Sequence, residues 1–211
     1  MNTAVLKPIA IGSALVLALV GTGLWIGSSL APAPTPHSSV ESDSAAANET
    51  DADSDDSAPN AADIPATVVA TTSEQEMLVY LVEEEKLALD VYTTLENLWG
   101  SRVFERVSRS EESHQDRVAS LLFAAGVADP RSSDVGVFQN DELQALYDSL
   151  IAQGSASETA AFEVGVAIEE RDIADITEML TTVTEPSIVA VLESLRAASE
   201  NHLAAFTRQL D

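Results

Sequence analysis

The sequence predicts an all-α protein in which four long helices form an antiparallel four-helix bundle, with one short extra helix between helices two and three of the bundle. From about residue 73 onward, apolar residues recur in steps of three and four, the period of one face of a helix. Glycines follow three of the predicted helices, where a left-handed residue often ends a helix. The first connection is only one or two residues long, which forces the helices it joins to run antiparallel.

The composition sets limits on what the chain can be. It has 211 residues, of which 45% are apolar, enough for one domain of ordinary size with additional segments. Lys and Arg number 10 against 35 Asp and Glu, a formal net charge of −25, which disfavours binding to nucleic acid and to anionic lipid. The absence of cysteine excludes disulfides, thiolate metal ligands, cysteine nucleophiles and lipid attachment through an N-terminal cysteine.

Residues 1–31 predict an N-terminal signal peptide or a single-span membrane anchor. The run from Ile9 to Leu30 carries no charge and is long enough to cross a bilayer as a helix. Lys7 precedes it, which places the rest of the chain outside the cytoplasm. Small residues near Leu30 suit cleavage, whereas the length of the run and Pro32 favour a retained anchor. With either outcome we expect an exported domain, secreted or attached to the membrane.

Residues 32–72 predict a disordered acidic linker. The segment is rich in Pro, Ala, Ser, Thr and Asp and has eight acidic residues but no Lys or Arg. It cannot bury enough apolar surface to offset the entropy lost on ordering. We therefore expect a flexible tether that leads into a folded domain at residues 73–211.

The first two long helices are predicted to form a hairpin. Residues 73–76, with the sequence Ser-Glu-Gln-Glu, have the pattern of a capping box and open the first helix, which runs to about Trp99. Gly100 ends it. The second helix occupies about Ser101 to Ala125 and ends at Gly126.

The short helix and the last two long helices follow a loop that contains Pro130. The short helix is expected from about Asp141 to Gln153, closed by Gly154. Residues 155–158, Ser-Ala-Ser-Glu, form a second capping-box pattern and open the third long helix, which ends at about Thr182. Pro186 falls in the first turn of the fourth, where its missing N–H is tolerated, and that helix continues to about Gln209.

Polar residues interrupt the apolar face of every long helix near its middle. On the second helix, Glu111 and His114 are three residues apart and so share one face, among otherwise apolar positions. Burying these groups without partners is costly, and a metal ion is a common way to hold a Glu and a His in a helical core. The other interruptions are Glu84 and Glu85 on the first helix, Glu169 and Glu170 on the third, and His202 on the fourth.

These interruptions are expected at a common depth. At a rise of about 1.5 Å per residue, Glu84 and Glu111 lie within roughly one turn of each other on either side of Gly100. Glu169 and His202 give a similar count about the last connection. Taken singly, such a Glu is more often a rim residue or the partner of an Arg, and such a His a hydrogen-bonded core residue. Two of the only three histidines fall on these faces, however, and this coincidence favours metal binding.

Short strings on all four long helices carry a resemblance to a known family. They are Glu83-Glu84-Glu85-Lys86-Leu87-Ala88 with Asp90-Val91-Tyr92, Trp99-Gly100 with Arg102-Val103-Phe104, Ser110-Glu111 with His114, Ile168-Glu169-Glu170 with Asp172-Ile173, and Asn201-His202-Leu203 with Ala205-Phe206. Together they resemble the ferritin-like superfamily, and more narrowly the family known as domain of unknown function 2202. The resemblance covers about residues 74–210, and the narrower family has no assigned reaction.

The superfamily resemblance implies a carboxylate-bridged pair of iron or manganese ions. The implied ligands are Glu84 or Glu85, then Glu111 and His114, then Glu169 or Glu170, and finally His202. The superfamily pattern has a second Glu-x-x-His on the fourth helix, but here the residue three before His202 is Ser199. One ligand of the standard set is therefore missing. The chain could hold two ions weakly, hold one, or hold none, and the second Glu on the first or third helix could compensate.

The sequence therefore predicts an exported ferritin-like protein that binds iron or manganese, with ferroxidase or another oxidoreductase activity left open. Tyr92 would lie one turn from the metal ligands, as core packing or as a redox neighbour. The alternative is a metal-free helical bundle that acts as an interaction or scaffold module at the cell surface, which Ser199 favours. Neither a Gly-x-Ser-x-Gly motif nor a Gly-rich phosphate loop is present.

Overall fold

Five α-helices make up most of the protein in the computed structural model, which describes residues 64–211. These residues include no strand, so the all-α prediction is confirmed. The helices are α1 (Thr72–Trp99), α2 (Arg102–Ala124), α3 (Asp141–Gly154), α4 (Glu158–Leu180) and α5 (Pro186–Thr207).

The four long helices pack in the cyclic order α1, α2, α5, α4, so that each contacts two of the others. The short helix α3 lies against α1 and α4. Gly100 ends α1 with a φ of 70°, a conformation that glycine adopts without strain, and α2 begins two residues later. At the opposite end, the N–H of Val68 donates to the carbonyl of Ala124 over 3.0 Å. The start of α1 therefore lies beside the end of α2, and the two helices run antiparallel.

The capping box of α1 lies two residues earlier than predicted. Thr71 is the N-cap, and the side chain of Glu74 bonds back to the Thr71 N–H over 2.8 Å. Both Thr71-x-x-Glu74 and Ser73-x-x-Glu76 fit the local pattern. The other oxygen of Glu74 also accepts the N–H of Thr184, 2.9 Å away, and this long-range contact selects the earlier cap.

The cap of α4 also differs from the prediction, because Ser157 and not Ser155 opens the helix. The Ser157 hydroxyl accepts the N–H of Ala160 over 3.0 Å. Ser155 instead ends α3, and its hydroxyl donates to the carbonyl of Ile151 over 2.7 Å. Ser155 therefore ends α3, and Ser157, two residues later, begins α4.

Packing begins before residue 73, inside the range predicted as a linker. Val68 is only 5% exposed and joins the core beside α2, and Thr72 already belongs to α1. Packed residues therefore occur before the boundary that was expected at residue 73. The predictions for residues 1–31 and for residues 32–63 lie outside the described part of the chain. Within residues 64–211, no helix is both long and apolar enough to span a bilayer.

Two apolar clusters lie toward opposite ends of the long helices, and a polar layer separates them. The first cluster is rich in aromatic rings and includes Tyr92, Phe104, Phe162 and Phe206. The second is aliphatic and includes Leu78, Leu121, Ile176 and Leu192. The polar layer consists of Glu85, Glu111, His114, Glu169, Asp172, Ser199 and His202, all of them buried.

Charged residues on another face of α1 hold the loop between α2 and α3. The Glu83 carboxylate accepts the N–H of Gln139 over 2.6 Å and that of Asn140 over 3.0 Å. The ammonium of Lys86 donates to the carbonyl of Asp134 over 3.0 Å. Since Asn140 caps α3, Glu83 also fixes where that helix begins.

Candidate metal centre

Two buried groups of carboxylate and imidazole side chains meet at the shared residue Glu111. One group is Glu85, Glu111 and His114, and the other is Glu111, Glu169 and His202. Within each group, one ligand atom from every residue lies within 4.8 Å of the others. All four long helices contribute, which confirms the common depth expected from the sequence.

The first group is arranged around the Nδ1 atom of His114, which is fully buried. This nitrogen lies 2.9 Å from Glu111 Oε2 and 3.3 Å from Glu85 Oε2. The other ring nitrogen, Nε2, lies 3.3 Å from the hydroxyl of Ser110 one turn earlier. A histidine that binds a metal commonly donates its second N–H to such a partner.

The second group is arranged around the Nδ1 atom of His202. It lies 2.8 Å from Glu111 Oε1 and 3.6 Å from Glu169 Oε1. The hydroxyl of Tyr92 donates to the same Glu169 oxygen over 2.6 Å, and its ring packs on Phe206 with the centroids 5.1 Å apart. Tyr92 therefore contributes to the packing and also holds one carboxylate of the group in place.

Several buried polar atoms of the two groups lack an aligned hydrogen bond. Among residues 64–211 these include Glu85 Oε1, Glu111 Oε1 and His202 Nδ1. The last two are only 2.8 Å apart, so their closeness is not a hydrogen bond of good geometry. An unsatisfied buried polar group is unfavourable, and a cation bound among these closely spaced atoms would satisfy them. The mixed carboxylate and imidazole set fits iron, manganese or zinc.

The surrounding carboxylates favour the protonated form of both histidines and raise their pKa values. Burial opposes the charged form of His114, but the charge of Glu111 outweighs it and raises the pKa well above its usual value. Burial also opposes protonation of His202, yet the charges of Glu169 and Glu111 raise its pKa to about 10. Burial would raise the pKa of Glu111, but both imidazolium charges hold it below the usual range. A metal that takes an imidazole ligand must displace such a proton.

The pKa values of the other carboxyl groups of the polar layer are raised, in contrast to the lowered pKa of Glu111. Burial raises the pKa of Glu85 to about 7, although His114 opposes the shift. Burial also raises the pKa of Glu169, against the charge of His202. Burial, followed by the charges of Glu85 and Glu84, raises the pKa of Asp172 well above its usual value. The raised pKa values favour the neutral form of these three carboxyl groups, whereas Glu111 favours the charged form.

Two of the predicted candidates lie outside the two groups. Glu84 is buried, but its Oε1 accepts the guanidinium N–H of Arg171 over 3.0 Å, so it is paired on a different face of α1. Burial and the charge of Asp175 raise the pKa of Glu84 to about 8, although Arg171 opposes this. Glu170 is exposed to solvent on α4, because one residue turns a helix by about 100° away from Glu169.

Asp172 is a member of the polar layer that the sequence analysis did not single out as a candidate. It lies three residues after Glu169 and so shares its face of α4. Its carboxyl group is hydrogen bonded to the hydroxyl of Ser199 on α5. The spacing Glu169-x-x-Asp172 was the available signal.

Comparisons with known proteins identify the family. The profile of the family described as an uncharacterized protein domain (DUF2202) matches residues 74–211. The chain is 41% identical over 139 residues to the uncharacterized protein MJ0754 of Methanocaldococcus jannaschii, across 65% of this chain and 75% of that protein. The crystal structure of hypothetical protein MJ0754 superposes with a TM-score of 0.66 at 39% identity, covering 67% of this chain and 81% of the other. The chain therefore belongs to the DUF2202 family.

Proposed function

We propose that this protein is a ferritin-like bundle that binds two iron or manganese ions in its polar layer. The observation that carries the proposal is the position of Glu111, whose two carboxylate oxygens each approach a different buried histidine. A carboxylate shared between two groups of ligands is the arrangement by which helical bundles hold metal pairs. The cyclic packing of four long helices, each contributing to the layer, supports the ferritin-like assignment.

The residues divide between the two ions in a simple way. Glu85 and His114 would hold one ion, Glu169 and His202 the other, and Glu111 would contact both. Such ions supply electron-transfer chemistry toward oxygen or peroxide when they are bound. The apolar clusters on either side keep bulk water away from the layer, and Tyr92 fixes the orientation of Glu169. Oxidoreductase activity toward Fe(II) is the corresponding proposal for catalysis.

The metal-free scaffold remains the second candidate, and one observation favours it. The hydrogen bond between His114 Nδ1 and Glu111 Oε2 is 2.9 Å long, so part of the layer is already satisfied internally. A paired imidazolium and carboxylate can persist in a core without any metal. The unsatisfied atoms of Glu85 and His202 favour the metal-binding function over this alternative.

The proposed location is outside the cytoplasm. It is supported by the uncharged run from Ile9 to Leu30 and by the single positive side chain, Lys7, before it. Protease treatment of intact cells, compared with lysed cells, tests this location. Recovery of the domain only in the cytoplasmic fraction, protected from protease until the cytoplasmic membrane is broken, would contradict it.

Metal loading of the full-length chain tests the proposed function. The protein is incubated with Mn(II) or Fe(II) without oxygen, freed of loose ions and analysed for metal content. We expect about two ions per chain and a raised Tm, because a ligand that binds only the folded state stabilises it. Oxidation of added Fe(II) should depend on His114, as the His114→Ala variant would show. Absence of bound metal together with an unchanged Tm would leave the scaffold as the function.

A further inference from the structure

The fourth long helix lacks a carboxylate at the position one turn before His202. The residue there is Ser199, which is 1% exposed and points into the polar layer. Its hydroxyl is hydrogen bonded to the carboxyl group of Asp172 and lies 3.0 Å from the carbonyl of Leu195. A carboxyl group from α4 therefore reaches the place that a longer acidic side chain on α5 would occupy.

Asp172 lies beside the candidate metal ligands, although neither group of mutually close ligand atoms includes it. It is 8% exposed and lies one turn from Glu169, which belongs to the second group. The charges that act on it include those of Glu169 and of Glu85, a member of the first group. Glu85 Oε1, like Glu111 Oε1 and His202 Nδ1, is buried without an aligned partner among residues 64–211. These unpartnered atoms are the independent indication that the layer takes a cation.

We infer that Asp172 is the second carboxylate shared by the two metal ions, and that Ser199 is the residue that positions it. This inference rests on the proposed function. Glu111 supplies one shared carboxylate from α2, and Asp172 supplies the other from α4. A short aspartate with a serine opposite it thus replaces a single glutamate on α5. Neither Glu84 nor Glu170 has this role, because Glu84 pairs with Arg171 and Glu170 faces solvent.

Titration of the full-length protein with Mn(II) tests the inference through the variants Asp172→Asn and Asp175→Asn. Asp175 is the matched control, since it is buried one turn further along α4 and pairs with Arg171. We expect Asp172→Asn to lose at least about tenfold in affinity for one of the two ions, and Asp175→Asn to bind as the unmodified chain does. The double variant Asp172→Ser with Ser199→Glu returns a carboxylate to the layer from α5 and should restore the affinity.

The outcomes separate the inference from the function on which it rests. If the unmodified chain binds no Mn(II), the proposed function fails and the inference fails with it. If the unmodified chain binds two ions and folded Asp172→Asn binds them equally well, only the inference is overturned. If circular dichroism shows that Asp172→Asn is unfolded, the Ser199→Ala variant tests the inference instead. This variant keeps Asp172 but removes the hydroxyl that positions it. We expect that variant to bind one ion about tenfold more weakly, and unchanged binding would overturn the inference.

Discussion

The imidazole rings of His114 and His202 stack, with centroids 5.6 Å apart and planes 25° from parallel. The pKa of each ring is raised because the charge of Glu111, and of further carboxylates, outweighs the effect of burial. Two cationic rings at this separation repel each other unless an anion lies beside both. The two oxygens of Glu111 meet that need, and a metal ion that took an imidazole ligand would displace the proton of that ring.

Removal of the shared charge should affect both metal ions together. In Glu111→Gln the carboxylate that approaches both His114 and His202 is lost, so we expect metal content to fall from about two ions per chain toward none. The neighbouring Glu112 is exposed, and Glu112→Gln should keep the full metal content. Elemental analysis after loading measures both. Two tightly bound ions in Glu111→Gln would contradict the shared role.

Loss of an outer ligand should affect only one ion. Glu85→Gln removes a member of the first group, so we expect about one ion per chain to remain, held by the second group. The adjacent Glu84 pairs with Arg171, and Glu84→Gln should keep both ions. The same comparison applies to Glu169→Gln and its exposed neighbour Glu170→Gln. If both variants of either pair lost the same amount of bound metal, the loss would not be due to removal of a metal ligand.

The Tyr92 hydroxyl should contribute to stability more than to metal content. Tyr92→Phe keeps the ring but removes the 2.6 Å hydrogen bond to Glu169, so we expect a loss of about 0.5–1.5 kcal/mol in the free energy of unfolding. Both metal ions should remain. Tyr147→Phe, which loses only a 3.2 Å contact with Thr94 near the surface, is the control and should cost less. Urea unfolding measures both, and a Tyr92→Phe protein as stable as the original would contradict this prediction.

Gly165 is required because α4 and α5 approach closely beside it. A Cβ atom at this position would lie 2.6 Å from the ring of Phe206, which Tyr92 and Phe104 hold in place at centroid distances of 5.1 and 5.3 Å. Alanine normally stabilises a helix relative to glycine by about 1 kcal/mol. We expect Gly165→Ala to destabilise instead, by about 1–3 kcal/mol. In the control Gly154→Ala the new Cβ meets only side-chain carbons of one leucine, so the loss should be smaller. A raised Tm for Gly165→Ala would show that the ring can move.

Glu74 should make stability depend on pH in the acid range. Burial would raise its pKa, but the N–H groups of Thr184, Thr71 and Glu185 hold the pKa at about 2, below the usual value of 4.5 for a glutamate. Because the folded-state pKa is the lower one, the contribution is present above about pH 4.5 and is lost as the pH falls toward 2. After allowance for solvent screening near the surface, we expect on the order of 1–2 kcal/mol.

Urea unfolding near neutral pH and near pH 3 measures this contribution. Glu74→Gln should be less stable than the original near neutral pH, and the difference should shrink in acid. Glu76→Gln, at an exposed position of the same turn, should follow the original protein. If the stability difference between Glu74→Gln and the original protein were the same at every pH, Glu74 would not be the source of the pH dependence.

The helices and the depth of the polar layer could be predicted from sequence, because both follow from local periodicity and the helical rise. The choice between Glu84 and Glu85 could not. Both residues interrupt the apolar face of the first predicted helix at nearly the same depth, and only the distant Arg171, which pairs with Glu84, distinguishes them. The caps at Thr71 and Ser157 were missed for a similar reason, since each competed with a serine that also fitted the pattern.

Asp172 was not singled out because Glu169 and Glu170 already accounted for the polar interruption of the third predicted long helix. An aspartate beside Arg171 also resembles a surface ion pair. Only the packing of α4 against α5 brings it to Ser199, and neither residue alone indicates the other.

The charged segment of α1 consists of four consecutive residues, and each has a different partner. Glu83 and Lys86 hold the loop before α3, Glu84 pairs with Arg171, and Glu85 faces the histidines. Deleting one residue before this segment would rotate it by about 100° and separate all four from their partners at once. The direction in which Glu85 projects from α1 is therefore fixed when the protein folds. On the proposed function, the entropy of orienting this side chain would be lost on folding and not on binding of a cation.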